Sequence, residues 1–220
     1  DTEVLRGVDL EVSGGEILAL IGPSGCGKTS LLHVVMGLLA PTAGRVEVEG
    51  TRTMVFQKPQ LLPWSSVVDN AAFGLACRGV ARDEARARAE AMLTGMGLGE
   101  ALERRPHELS EGMQQRVNLA RALLVEPDVL LMDEPYAALD VMTRERLWAE
   151  LLAICEERSL TVLFASHDVE EVVVLADRVA VLGNEPTRVV AIEEVGLPRP
   201  RARGAALYER VTALRERVGA

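Results

Sequence analysis

The chain has 220 residues, 48% hydrophobic and 26% charged, the balance of a folded globular protein rather than a disordered one. With 3% aromatic residues and a formal net charge of −9, it has neither stacking platforms for single-stranded nucleic acid nor a broad basic face for DNA. No apolar run is long enough to cross a bilayer, and the three cysteines, Cys26, Cys77 and Cys155, form neither a CxxC pair nor a disulfide framework.

The odd, widely spaced cysteines fit a reducing cytosol, and no secretory signal is recognisable. A start at Asp1 rather than Met reads as a chain cut at its N-terminus. In chain order, Val4, Leu5, Val8, Leu10 and Val12 alternate weakly up to a turn at Ser13-Gly14-Gly15. Glu16 to Ile21 is a continuous apolar run, the pattern of a strand covered on both faces. A glycine-rich loop follows, then an apolar helix from Ser30 to Leu39. Val46 and Val48 alternate with Glu47 and Glu49 as in a half-exposed strand, and Met54 to Gln57 predicts another.

Residues 66–125 read as helical without strands, with Ala85, Ala89 and Leu93 recurring at i+4, and are expected to form a helical subdomain. Val129 to Met132 is a short buried strand. A helix near Val141 to Glu157 carries Leu147, Trp148, Leu151, Leu152 and Cys155 on one face. Thr161 to Ala165 and Arg178 to Leu182 read as strands, with a helix from Asp168 to Ala176 between them. Strands alternating with helices predict an α/β fold with a mostly parallel sheet and an N-terminal antiparallel β portion. The tail, about 183–220, carries Pro186, Pro198 and Pro200 and ends in a charged helix; its pattern suggests no role.

Gly22-Pro23-Ser24-Gly25-Cys26-Gly27-Lys28-Thr29 fits GxxxxGK[ST], and it lies between a buried strand and a helix, the context that motif requires. These residues and Ser30 are the expected phosphate cradle: backbone N–H groups turned inward, with the helix dipole behind them. Lys28 reaches the β- and γ-phosphates and Thr29 is placed for Mg²⁺. Only Lys28 and Lys58 of the 24 basic residues are lysines, consistent with a position that needs a compact charge. The alternative is a glycine-rich turn with an incidental lysine. Val129 to Met132 then delivers Asp133 and Glu134 at a strand's carboxyl end, where ligands of α/β sheets bind. Asp133 is the candidate metal ligand and Glu134 the candidate group that polarises the attacking water.

Between the two motifs lies Leu109-Ser110-Glu111-Gly112-Met113-Gln114-Gln115-Arg116, which resembles the LSGGQ-type signature of ABC-transporter ATPase subunits. The order of phosphate loop, Gln57, signature, acidic strand, Asp140 and His167 is similar to that family over about Val4 to Leu182. The resemblance implies one ABC ATPase domain over 1–220, with ATP and Mg²⁺ as cofactors. It makes Gln57 the Q-loop glutamine at Mg²⁺, and has Ser110 and Gly112 contact the γ-phosphate held by the other subunit of a head-to-tail dimer. It places Asp140 at the dimer interface and makes His167 the switch histidine. Glu111 departs from the pattern by replacing the first glycine, and is harmless if its side chain points away. An adenine-stacking aromatic is expected upstream of the first strand, beyond the start of this chain.

The stretch Gln57-Lys58-Pro59-Gln60-Leu61-Leu62-Pro63-Trp64 and the GMQQR signature look like the bacterial nitrate/sulfonate/taurine importer group. The resemblance implies membrane permease subunits docked on Gln57 to Trp64, an indirect link to a solute-binding protein, and a peripheral location on the cytoplasmic face of the inner membrane. Leu62 and Trp64 are the candidate groove; the alternative for Trp64 is a surface aromatic packed on its own loop. The rival readings are a soluble ABC ATPase outside transport and a catalytically weakened regulatory subunit.

Overall fold

The computed structural model describes residues 3–183, 186–201 and 203–219. Six strands, β1 (Ile17–Ile21), β2 (Arg52–Val55), β3 (Val129–Asp133), β4 (Thr161–Ala165), β5 (Arg178–Leu182) and β6 (Val189–Glu194), form one sheet in the order β2-β3-β4-β1-β5-β6. All neighbours pair in parallel except β5 and β6. The buried strands alternate between two apolar faces. Ile17, Ala19, Ile21, Leu130, Met132, Val162 and Phe164 face one core, while Leu18, Leu20, Leu131, Leu163 and Ala165 face the other. This is why the strands read as unbroken apolar runs: every position meets a covering layer.

The helices are α1 (Lys28–Met36), α2 (Val67–Cys77), α3 (Arg82–Gly95), α4 (Glu111–Leu124), α5 (Val141–Arg158), α6 (Val169–Leu175) and α7 (Ala205–Gly219). Leu31 and Leu32 of α1 pack with the second face, and the other helices contribute to the first. Residues 66–125 hold α2, α3, α4 and two short 3₁₀ turns, with no strand. Their starts are specified locally: the Ser66 and Ser110 side chains accept from Asp69 N and Met113 N at the N-caps of α2 and α4.

The antiparallel pairing lies at the C-terminal edge of the sheet, not near the N-terminus. Residues 4–12 contribute one isolated bridge, Leu5 with Thr187, and residues 45–49 are in no strand. Apolar alternation gives a segment one dry side, but a strand also needs a ladder partner. Gly44 and Gly50 flank 45–49 at φ of 82° and 79°, turning the chain at both ends. Conversely the tail, whose pattern predicts only a charged helix, also supplies β6, which pairs with β5 across residues 178–182.

Candidate functional site: the carboxyl edge of the sheet

The parallel register aligns the strand ends. Leu20 stands beside Ala165, and Ala165 beside Asp133, so the loops after β1, β3 and β4 open at one level, with the loop after β2 adjoining β3. After β1 the chain turns through Gly25 and Gly27, both at positive φ, into the N-terminus of α1. Gly22 is the tightest position: a Cβ there would lie 2.6 Å from the carbonyl oxygen of Leu182. Pro23, Ser24 and Gly25 are exposed, Cys26 is buried, and Ser30 is partly covered. Lys28 is 7% exposed, and its Nζ donates to the carbonyl oxygens of Gly22 (2.8 Å) and Pro23 (3.0 Å), so its charge sits within the loop's curve.

The Thr29 hydroxyl donates to Asp133 Oδ2 at 2.8 Å. Burial raises the Asp133 carboxyl above its ordinary range, and Thr29 opposes that shift. One residue on, Glu134 adopts φ of 44°, left-handed for a non-glycine residue, with its amide bonded to Ala165 O at 2.9 Å. Its Oε2 accepts from Gln57 Nε2 at 3.2 Å and lies 3.3 Å from His167 Nδ1. Two residues from the ends of β2 and β4 therefore converge on one carboxylate oxygen at the end of β3. Gln57 bonds Glu134 here rather than the Thr29–Asp133 pair.

Ser110, Gly112 and Asp140 form a second group. A Cβ on Gly112 would lie 3.1 Å from Leu139 Cδ2 and 3.3 Å from Ala138 O, so the start of α4 abuts the loop before Asp140. Asp140 caps α5, and the side-chain and backbone groups of Thr143 hold its carboxyl below the usual range. Among the described residues no hydrogen bond joins Ser110 or Gly112 to residues 22–29. Glu111 is exposed in the first turn of α4, where negative charge suits the helix dipole.

Sequence reasoning missed the residues that hold this edge in place. Gln115 and Asn118 of α4 donate to Phe56 O at 3.3 and 3.0 Å, and Arg121 donates to Gln60 O at 2.7 Å. Asn70 is buried and bonds Leu62 N, Leu62 O, Ser65 O and Ser66 O, fixing the loop that carries Trp64. Trp64 itself is 71% exposed. The available signal was spacing: Gln115, Asn118 and Arg121 recur every third residue, interleaved with apolar Val117, Leu119 and Ala120.

The ABC transporter family pattern matches residues 5–137. The chain is 43% identical over 210 residues to the bicarbonate transport ATP-binding protein of Synechocystis sp., covering 90% of this chain and 32% of that protein. It therefore spans about a third of the length of those bicarbonate transport relatives. It is also 43% identical over 211 residues to the taurine import ATP-binding protein of Burkholderia thailandensis, covering 92% and 81%. A dimeric, post-hydrolysis ATP-binding cassette bound to ADP and Pi superposes with a TM-score of 0.82 at 28% identity, covering 88% of this chain and 91% of that one. Among the described residues no helix is long and apolar enough to cross a membrane.

Proposed function

The chain belongs to the ABC transporter family, and from that premise we propose that it binds and hydrolyses ATP as the energising subunit of a solute importer. The observation that carries the reading is the convergence of Gln57 and His167 on Glu134 Oε2, beside the Thr29–Asp133 pair. The loop fits a triphosphate: Gly25 leaves open space where a Cβ would stand, Gly22 admits none, and Lys28 supplies a cation on the loop's inner side. The hydroxyl and carboxylate of Thr29 and Asp133 are hard oxygen donors suited to Mg²⁺. When bound, Mg²⁺ supplies neutralisation of the phosphate charge.

Lys28 holds the β- and γ-phosphates in place. Glu134 accepts a hydrogen bond from the attacking water and orients it toward the γ-phosphorus, while Gln57 and His167 both hold its Oε2. His167, with its side chain 66% exposed, faces outward, where it can meet the γ-phosphate. One chain leaves the far side of the nucleotide uncovered. Ser110, Gly112 and Asp140, grouped where the start of α4 meets the loop before α5, are suited to cover the nucleotide of a second copy head to tail, and the related solved cassettes are described as dimeric. One ABC ATPase domain, with 66–125 as its helical subdomain, accounts for these parts.

Gln57 to Trp64 is the proposed dock for permease subunits at the cytoplasmic face of the membrane, and a solute-binding protein acts through that permease. The relatives' names point to small anions and zwitterions such as bicarbonate and taurine as the cargo class. The test is Glu134→Gln. It should retain ATP binding, lose turnover and accumulate as an ATP-bound dimer on size-exclusion chromatography; normal turnover would remove Glu134 from the water-activating role.

A further inference from the structure

Behind His167 lies a polar group that this reading does not use. Glu171, in the first turn of α6, is 3% exposed, on a helix whose Val169, Val172, Val173 and Leu175 are buried with it. A carboxyl at that depth is costly, and an apolar side chain of similar volume would fill the space at lower cost. Its hydrogen bond is specific: the Ser166 hydroxyl donates to Oε2 at 2.7 Å. The same hydroxyl accepts from Asp168 N at 3.0 Å, so the residues before and after His167 are tied to one oxygen atom. Ser166 N donates to Leu20 O at 3.2 Å, linking the loop to β1. Arg144, from α5, holds Asp168 at 3.0 Å, and Asp168 in turn caps α6. His167 projects from this braced loop toward Glu134.

We propose that Glu171 is a positioning residue for His167, its carboxyl fixing the Ser166 hydroxyl and through it the backbone that aims the imidazole at Glu134. This rests on the hydrolytic roles given above to His167 and Glu134. Burial pushes Glu171 up to about 8; the Ser166 hydrogen bond opposes this, and Asp168 and Glu134 face it with like charge and Arg144 with opposite charge. The buried Tyr136 phenol, on the loop after β3, is likewise raised by burial and by Glu171.

The experiment compares Glu171→Gln, Glu171→Leu and Ser166→Ala in the full chain by ATPase kinetics, ATP affinity, thermal melting and the NMR signals of the His167 ring. With three histidines in the chain, those signals are assignable by substitution. Glu171→Gln, neutral and of the same shape, should keep turnover within about threefold, while Glu171→Leu and Ser166→Ala should lose about tenfold in kcat at unchanged KM. The His167 ring signals should move in those two variants and not in Glu171→Gln.

Wild-type kcat and unmoved His167 signals in Glu171→Leu, or equal losses of kcat and melting temperature in Gln and Leu variants alike, would overturn the assignment. If Glu171→Leu does not fold, Ser166→Ala decides on the same criteria. Glu134→Gln separates the two levels. If it is inactive while Glu171→Leu is fully active, this proposal alone falls; if it turns over normally, the hydrolytic reading falls and this proposal with it.

Discussion

At the scale of single residues, Glu134 combines chemical and conformational constraints. Its left-handed backbone, at φ of 44°, is an arrangement that costs a non-glycine residue about 1–2 kcal/mol. Glu134→Gly should therefore abolish turnover yet leave the urea midpoint of unfolding equal to or above that of the parent. Gly22→Ala should act in the opposite sense. Its Cβ would meet backbone at 2.6 Å, so a loss of about 1–3 kcal/mol in stability is expected from equilibrium unfolding. Glu171 links stability to pH. Its folded pKa is raised to about 8 from an ordinary 4.5, so between those values the folded chain keeps a proton that the unfolded chain releases. Stability from this group is therefore greatest at low pH and falls as pH rises toward 8; relative to Glu171→Gln, the wild-type melting temperature should decline over that window. Lys28, Thr29, Asp133 and Glu134 stand out as candidates because each lies in a contiguous motif at a strand end, whereas His167 stands out only by its place in the order of the family's motifs. Glu171 does not stand out, because a glutamate four residues past His167 reads as helix surface until burial is known.

Among the elements, α6 shows what the tail does. Arg201 donates to the carbonyl oxygens of Val173 (2.8 Å), Val174 (3.2 Å) and Ala176 (2.6 Å), closing the helix end opposite Asp168. Arg203 bridges Glu145 of α5 and Glu170 of α6, at 2.6 and 3.0 Å. Arg201→Ala would leave buried acceptors unpaired, and a loss of about 1–3 kcal/mol in unfolding free energy is expected, with Lys at this position recovering only part. The sequence showed only charges and prolines there, because what they bind is contributed by residues some 25 positions earlier. Strands β1, β3 and β4 were readable because burial on both faces leaves an unbroken apolar run. Val46 and Val48 carry as clear a pattern as many strands, yet find no partner, since pairing is a property of two segments and not of one.

For the whole molecule, the proposed cycle draws on two groups, one around Lys28 and Glu134 and one around Ser110 and Asp140, that no hydrogen bond joins among the described residues. A rate per chain that rises with protein concentration is the expected signature of a head-to-tail pair, and a flat rate would place all of the machinery within one copy. Helix α4 gives this arrangement a mechanical consequence. It begins at Ser110 and Gly112, has 14 residues and is about 21 Å long. Along its length Gln115, Asn118 and Arg121 grip the main chain at Phe56 and Gln60, next to Gln57 and Trp64. The helix therefore ties its Ser110 end, through side chains on main-chain carbonyls, to the segment that leads from Gln57 to Trp64. On the proposed reading, thermodynamic reciprocity would make such a link two-way: free energy that closure over ATP spent on shifting Trp64 would return, when a permease rested on Trp64, as a bias on closure.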